Sequence, residues 1–411
     1  MILIKNIKKL VGVGNPHSPL RGMELLQLPA IDDAYLLVDG AEIAGFGPMS
    51  DLSSVAHAGI PEFDATGRFI LPAWCDSHTH LVFAASREEE FVDKLKGLSY
   101  AEIAERGGGI LNSARKLQAA SEDELFDAAW KRLEEISRQG TGAVEIKSGY
   151  GLTVEAELKM LRVIKKLKQR SPLSIKATFL GAHTFPPQYK NDHETYINSI
   201  IGEMLPVIAA EKLADYIDVF CEKGFFSPEE TERICRAGMQ YGLRPKIHAN
   251  QLNLSGGVET GIKLNALSVD HLETMSDETI ALLAASDTIG TMLPSAAFFL
   301  RMPFQPARKM IDAGCAVALA TDFNPGSSPS GNMNLLVAMS CIQMRMLPEE
   351  AINAATINGA FAMEVQHKAG SIAVGKNANI ILTRPIPSLA YLPYAFGSNL
   401  IDKVMVKGEW L

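Results

Sequence analysis

Several residue types that would set the class of this chain are scarce or absent. Its 411 residues include five cysteines, Cys75, Cys221, Cys235, Cys315 and Cys341, with no Cys-x-x-Cys pair among them. An odd, scattered set does not form a disulfide framework. Basic residues are outnumbered, 39 Lys and Arg against 47 Asp and Glu, giving a net charge of −8. Without a basic stripe interleaved with aromatics, nucleic acid is not an expected partner. No uninterrupted apolar run approaches the roughly 20 residues of a membrane span, so no membrane partner is expected either. The opening Met1-Ile2-Leu3-Ile4-Lys5-Asn6-Ile7-Lys8-Lys9 places apolar residues ahead of lysines, the reverse of a secretory signal. A soluble, cytoplasmic protein is expected. There is no low-complexity tract and no short repeat.

What is present is enough apolar material, 47% of residues, to bury a large core in one domain with an appendage, or in two domains. From about Phe69 to Val365, short β-rich runs alternate with longer amphipathic stretches. The runs are Arg68–Trp74, Ala143–Lys147, Leu173–Leu180, Tyr216–Cys221, Pro245–His248, Ala266–Asp270, Thr288–Met292 and Ala316–Thr321. Between two of them, Leu158, Leu161, Ile164 and Leu167 recur at helical spacing behind Thr153, a suitable N-cap. Eight strand–helix repeats predict an α/β fold, a (β/α)₈ barrel over residues 66–365, ahead of a doubly wound sheet. The ends lack this rhythm. A hairpin is expected around Asp39-Gly40, and strands over Ala378–Leu382 and Val404–Trp410. Neither end is long enough to bury a core alone, so residues 1–65 and 366–411 are expected to meet in one small β-sandwich.

The most informative run is Phe69-Ile70-Leu71-Pro72-Ala73-Trp74-Cys75-Asp76-Ser77-His78-Thr79-His80. In a strand, alternate side chains share a face, so His78 and His80 point the same way and are placed to chelate one metal ion. The same parity turns Cys75 to the other face, where packing is its expected role. Among nine histidines, chance alone supplies about 0.2 such pairs, so the pair needs its context. In barrels of this kind, chemistry sits at the C-terminal ends of the strands. His78 and His80 end the first strand, Tyr150 follows the second and His183 the third. His248 ends the fifth strand, His271 follows the sixth and Asp322 the eighth. Any one histidine is ordinarily structural, but five with an aspartate on one rim indicate a metal site. His17, His57, His193 and His367 fall in loops or terminal segments and read as surface. Three imidazoles and a carboxylate suit zinc or iron with a position left for water, whose pKa drops toward about 7 in favourable sites.

On these residues the chain resembles the amidohydrolase superfamily: His-x-His after strand one, histidines after strands five and six, aspartate after strand eight. Nearly the whole chain is similar to the branch that hydrolyses 4-imidazolone-5-propanoate to N-formimidoyl-L-glutamate in histidine breakdown. The words that carry this are Asp76-Ser77-His78-Thr79-His80, Arg106-Gly107-Gly108-Gly109-Ile110, Glu145-Ile146-Lys147-Ser148-Gly149-Tyr150-Gly151, Gly181-Ala182-His183 and Thr321-Asp322-Phe323-Asn324-Pro325-Gly326-Ser327. The resemblance implies one zinc or iron ion per chain, held by His78, His80, His248 and Asp322. It implies substrate contacts from Arg87, Tyr150, His183, Gln251, Asn324, Gly326 and Ser327, and a small-molecule substrate with a carboxylate. Arg87 has a planar fork suited to that carboxylate, although Glu88, Glu89 and Glu90 beside it also fit a surface arginine. Asn324-Pro325-Gly326 would also explain itself as a turn. Gly107–Gly109 is no phosphate loop, since no Gly-Lys-Ser/Thr follows; it reads as backbone at the barrel mouth or as an ordinary loop.

One departure matters. Many relatives carry His-x-x-Glu after strand five, where this chain has His248-Ala249-Asn250-Gln251. A glutamine hydrogen-bonds a ring amide but carries no proton. Proton transfer is therefore assigned to Asp322, with His271 orienting the hydroxide and His183 beside the ring. A second metal bridged by a lysine after strand four is disfavoured, though Glu222-Lys223 stands there. Two other readings are a deaminase using the same metal kit and a metal- or metabolite-binding sensor. A homodimer is left open.

Overall fold

The structure is a computed structural model that describes residues 1–54, 59–98, 102 and 108–411; Arg106 and Gly107 of the glycine-rich word, and His57, lie outside the described residues. Sixteen strands are described, in two sheets.

The first sheet is built from both ends of the chain. Its strands are β1 (Ile2–Val11), β2 (Ala30–Asp39), β3 (Glu42–Pro48), β4 (Glu62–Asp64) and β5 (Phe69–Pro72). The barrel strands β6 to β13 follow, and β14 (Ile380–Thr383), β15 (Ile401–Val406) and β16 (Glu409–Trp410) complete this sheet. The order is β16-β15-β14-β5-β1-β2-β3, with β4 paired to β1. The β2–β3 hairpin turns at Gly40 (φ +54°), as the Asp-Gly pair predicts. Alternating apolar residues from both termini, among them Ile4, Leu36, Val38, Ile70, Ile380 and Met405, bury one cluster together.

The second sheet is the barrel. Its strands are β6 (Trp74–Thr79), β7 (Thr141–Lys147), β8 (Ser174–Ala182), β9 (Tyr216–Cys221), β10 (Arg244–Ala249), β11 (Ser268–His271), β12 (Ile289–Met292) and β13 (Val317–Leu319). They pair in sequence order, every pairing parallel, which separates a barrel from a doubly wound sheet. The seam between β6 and the segment after β13 is closed by backbone bonds: Asp322 N–H donates to His78 O and His80 N–H to Phe323 O, both at 2.9 Å. Asp76 adds to it, accepting from Thr321 N at 2.9 Å and from Thr321 Oγ1 at 2.6 Å. Helix Val154–Arg170 starts where expected, the Thr153 hydroxyl capping Ala156 N at 3.2 Å.

Two expectations need correction. The run read as one barrel strand, Arg68–Trp74, is two elements: Phe69–Pro72 pairs with β1 and β14, and the barrel begins at Trp74. Phe69–Pro72 thus belongs to the sheet built from the chain ends. His193, expected in a loop, instead opens helix His193–Ser199, stacked on Phe185 at 3.6 Å with Nδ1 2.8 Å from Glu230, while its side chain, 39% exposed, lies at the surface as expected. Cys75 packs with Ala143, Ala360 and Met363 on the outer face of β6, as parity predicts.

Candidate active site

Four strand ends deliver the imidazoles. His78 and His80 come from the end of β6, His248 from β10 and His271 from β11, all buried. His183 follows β8 and stacks on His80, their rings 5.4 Å apart and 12° from parallel. Asp322 stands just beyond β13, with Oδ1 3.6 Å from both His78 Nε2 and His80 Nε2. The backbone is left-handed at Asn250 (φ +55°), His271 (+89°), Leu272 (+68°) and Asp322 (+56°), a concentration of unfavourable φ values typical of functional sites.

On each histidine, Nδ1 faces an oxygen and leaves Nε2 for the centre. The Nδ1 partners are Asp270 Oδ2 for His78 at 2.7 Å, Asp218 Oδ2 for His248 at 2.9 Å and Glu273 Oε1 for His271 at 3.3 Å. Backbone carbonyls serve His183 (Gly149, 2.9 Å) and His80 (Ser148, 3.4 Å). Such partners orient metal-binding imidazoles and set their tautomer. Among the described residues, the buried Nε2 atoms of His78 and His248 have no hydrogen-bond partner, and His248 Nδ1 meets Asp218 Oδ2 as a close ion-pair contact outside hydrogen-bond geometry. Ligand atoms of His78, His80 and Asp322 lie within 4.8 Å of one another, as do those of His78, His248 and His271. Orphaned, inward-facing nitrogens beside a carboxylate are a donor set that fits a divalent ion. His271 thus stands among the potential donors.

Charge is managed by burial. His78 and His80 are held well below the ordinary imidazole value, first by burial, then by Lys147 near His78 and His183 near His80. Burial, then His248, pushes His183 down to about 4. These imidazoles are therefore neutral, the state in which they ligate. Burial also opposes charge on His271, but Glu273, Asp322 and Asp270 outweigh it and raise its pKa. Burial raises Asp322, against the pull of His271 and His248.

The expected substrate residues fall into two groups. Tyr150, His183, Gln251, Asn324 and Ser327 line one cavity of about 70 Å³ with His80, Phe220, His248, His271 and Asp322. Arg87 stands beside it, N-terminal to helix Glu88–Leu95, its guanidinium against Gly326; a Cβ on that glycine would collide with it. It is no surface arginine: only 11% of its side chain is exposed, and Nε bonds Glu90 Oε2 at 2.8 Å. Asn324 spends its amide inside its own turn, donating to Asp322 O (2.6 Å) and Ser327 Oγ (2.7 Å) and accepting from the N–H groups of Gly326 and Ser327. Ser327 Oγ in turn donates to Asp322 Oδ2 at 2.9 Å.

Residues missed from sequence hold these groups in place. The buried Glu157 carboxylate accepts from the N–H groups of Gly149 (φ +109°), Gly151 and Leu152, shaping the loop that carries Tyr150. Glu222 accepts from Leu252 N at 2.9 Å and Asn253 Nδ2 at 3.1 Å, tying down the loop of Gln251. Lys223, which a bridged second metal would need, is exposed. Beneath the imidazoles lie Glu145, Lys147, Asp218, Lys246 and Asp270, all buried. Their signal was available: charged residues inside short, largely apolar strands, two of them alternating along β7 as Glu145 and Lys147. Gly108 and Gly109, read as backbone at the mouth, line a wider cavity of about 690 Å³ with Leu152, Thr184 and Phe225.

A parallel eight-stranded barrel carrying this histidine–aspartate set on its C-terminal rim is the architecture of a metal-dependent hydrolase, and residues 69–411 match the amidohydrolase family, to which the chain belongs. Relatives narrow this further. The chain is 58% identical to the imidazolonepropionase of Flavobacterium johnsoniae and 54% identical to that of Christiangramia forsetii, covering 99% of both chains in each comparison. It belongs to the imidazolonepropionase branch. Among solved structures, E. coli guanine deaminase aligns over 100% of this chain and 98% of its own, with TM-score 0.73 and 13% identity. A zinc-bound adenosine deaminase from Xanthomonas campestris aligns over 100% and 92%, with TM-score 0.72 and 17% identity. At such identities these two share the fold alone. Among the described residues, no helix is long and apolar enough to cross a membrane.

Proposed function

We propose that this chain hydrolyses the cyclic amide of 4-imidazolone-5-propanoate to N-formimidoyl-L-glutamate, with one zinc or iron ion held by His78, His80, His248 and Asp322. What supports the reading is that His78 stands within ligand distance of His80 and Asp322 and also of His248, with buried, unpartnered Nε2 atoms on His78 and His248, in a chain that matches imidazolonepropionases from end to end. A metal ion held there supplies Lewis acidity and lowers the pKa of a water molecule. Asp322 accepts the proton of the attacking water and delivers it to the ring nitrogen that departs. His271, backed by Glu273, orients the attacking oxygen. Tyr150, His183 and Gln251 hold the ring, while Gly326 and the Asn324–Ser327 turn form the wall against which Arg87 meets the substrate's carboxylate. Cytoplasmic location and a homodimer belong to the same proposal.

The product should be one water heavier than the substrate, carry a new carboxylate and keep both nitrogens. Mass measurement with a prompt ammonia assay tests this. Stoichiometric ammonia, released at the rate of substrate loss with the ring retained, would overturn ring opening and favour a deaminase.

A further inference from the structure

Directly under the imidazoles the barrel interior is charged, and no step above uses it. Barrels of this class ordinarily fill their interior layers with branched apolar side chains. Here Lys147 Nζ stands 2.6 Å from Glu145 Oε1, 2.8 Å from Asp218 Oδ2 and 3.5 Å from Asp270 Oδ2. The ammonium donates hydrogen bonds to Glu145 and Asp218 and forms a longer ion pair with Asp270. The two aspartate oxygens are the same atoms that face the inward imidazoles. Asp218 Oδ2 lies 2.9 Å from His248 Nδ1, and Asp270 Oδ2 lies 2.7 Å from His78 Nδ1. One cation therefore joins two carboxylate–imidazole pairs, one made by β9 and β10, the other by β11 and β6.

The surrounding bonds leave these groups little freedom. Asp218 Oδ1 accepts His248 N–H at 3.1 Å, and Asp270 Oδ1 accepts the Ser268 hydroxyl at 2.5 Å. The other oxygen of Glu145 binds Lys246, which also donates to Ser77 O at 3.1 Å, next to His78. With Lys147 removed, Asp218 and Asp270 would lose the one cation that ties their imidazole-facing oxygens to each other across the barrel. Each carboxylate would then be free to shift against its imidazole.

We propose that Lys147 is the positioning residue of the metal site. It fixes Asp218 and Asp270 so that His248 and His78 present Nε2 to a single ion, although it touches neither that ion nor the substrate. This rests on the reading of His78 and His248 as ligands, and the experiment separates the two claims.

Zinc affinity of the full-length chain is measured by competition with a chelator in the wild type, Lys147→Met and His248→Ala, together with the visible spectrum after Co²⁺ loading. Loss of an outer partner typically costs about 10–100-fold in metal affinity. Lys147→Met should show a fall of that order and shifted Co²⁺ bands while the circular dichroism stays native. A residue that merely fills the barrel would change the unfolding temperature and leave both metal readouts alone. Should Lys147→Met fail to fold, Glu145→Gln/Lys147→Met, which removes one charge of each sign, is expected to show the same loss. Wild-type zinc affinity and spectrum in the folded variant, with weakened binding in His248→Ala, would overturn the proposal and keep the ligand reading. Wild-type affinity in His248→Ala would overturn the ligand reading itself. Failure of both Lys147 variants to fold would assign the residue to barrel stability and overturn the proposal.

Discussion

Ser327 donates its hydroxyl hydrogen to Asp322 Oδ2 at 2.9 Å, which leaves Oδ1 as the atom that faces His78 and His80. The serine is thus engaged with the proposed proton carrier before any substrate arrives. Ser327→Ala should lower kcat more than it raises KM. A hydrogen bond to a charged group contributes about 1.5–3 kcal/mol, so a loss on the order of ten- to a hundredfold in kcat is expected. Steady-state kinetics at constant metal content decide it; a pure KM effect would return Ser327 to direct substrate contact.

Arg87 is already paired with Glu90, whose other oxygen accepts Gly109 N–H at 3.1 Å. The fork is held in place, with one side turned to Gly326. Truncating one partner of a buried, hydrogen-bonded charge pair costs about 2–5 kcal/mol. Arg87→Ala should show this as a sharply raised KM with unchanged metal content. Arg87→Lys should rescue only part, because a point charge does not reproduce a planar fork. An unchanged KM would leave Arg87 as a partner for Glu90 alone.

Asp76 closes the barrel seam through Thr321, and burial raises its carboxyl to about 7. Asp76→Ala leaves Thr321 N–H buried without its acceptor, a loss of about 1–3 kcal/mol. Urea unfolding of the metal-free chain should show that destabilisation, and Asp76→Asn should recover much of it. Equal stability in Asp76→Ala and the wild type would mean that the seam is held by backbone bonds alone.

Much of the site was legible without coordinates because it depends on local periodicity. Strand parity placed His78 and His80 on one face and Cys75 on the other, and strand ends located His248, His271 and Asp322. The substrate residues were harder. Arg87 had equal claims as surface or site, and only the fold shows it buried against Gly326 and Glu90. Asn324 and Ser327 were marked for substrate, yet their hydrogen bonds are spent on their own turn and on Asp322. A side chain's partner cannot be read from its type.

The limits have a physical origin. By itself the sequence determined the alternation of eight strands with helices, the parity of the His-x-His pair and the set of groups able to bind a metal, since each follows from backbone geometry within a few residues. Only the tertiary structure decided which sheet takes Phe69–Pro72, because an apolar run satisfies either sheet equally until its neighbours are known. It alone decided how the barrel interior is neutralised. Lys147 meets Asp218 across 71 positions and Lys246 meets Glu145 across 101. A charge buried away from water persists only beside its counter-charge, and that partner is supplied by strands distant in the chain and adjacent only once the barrel has closed.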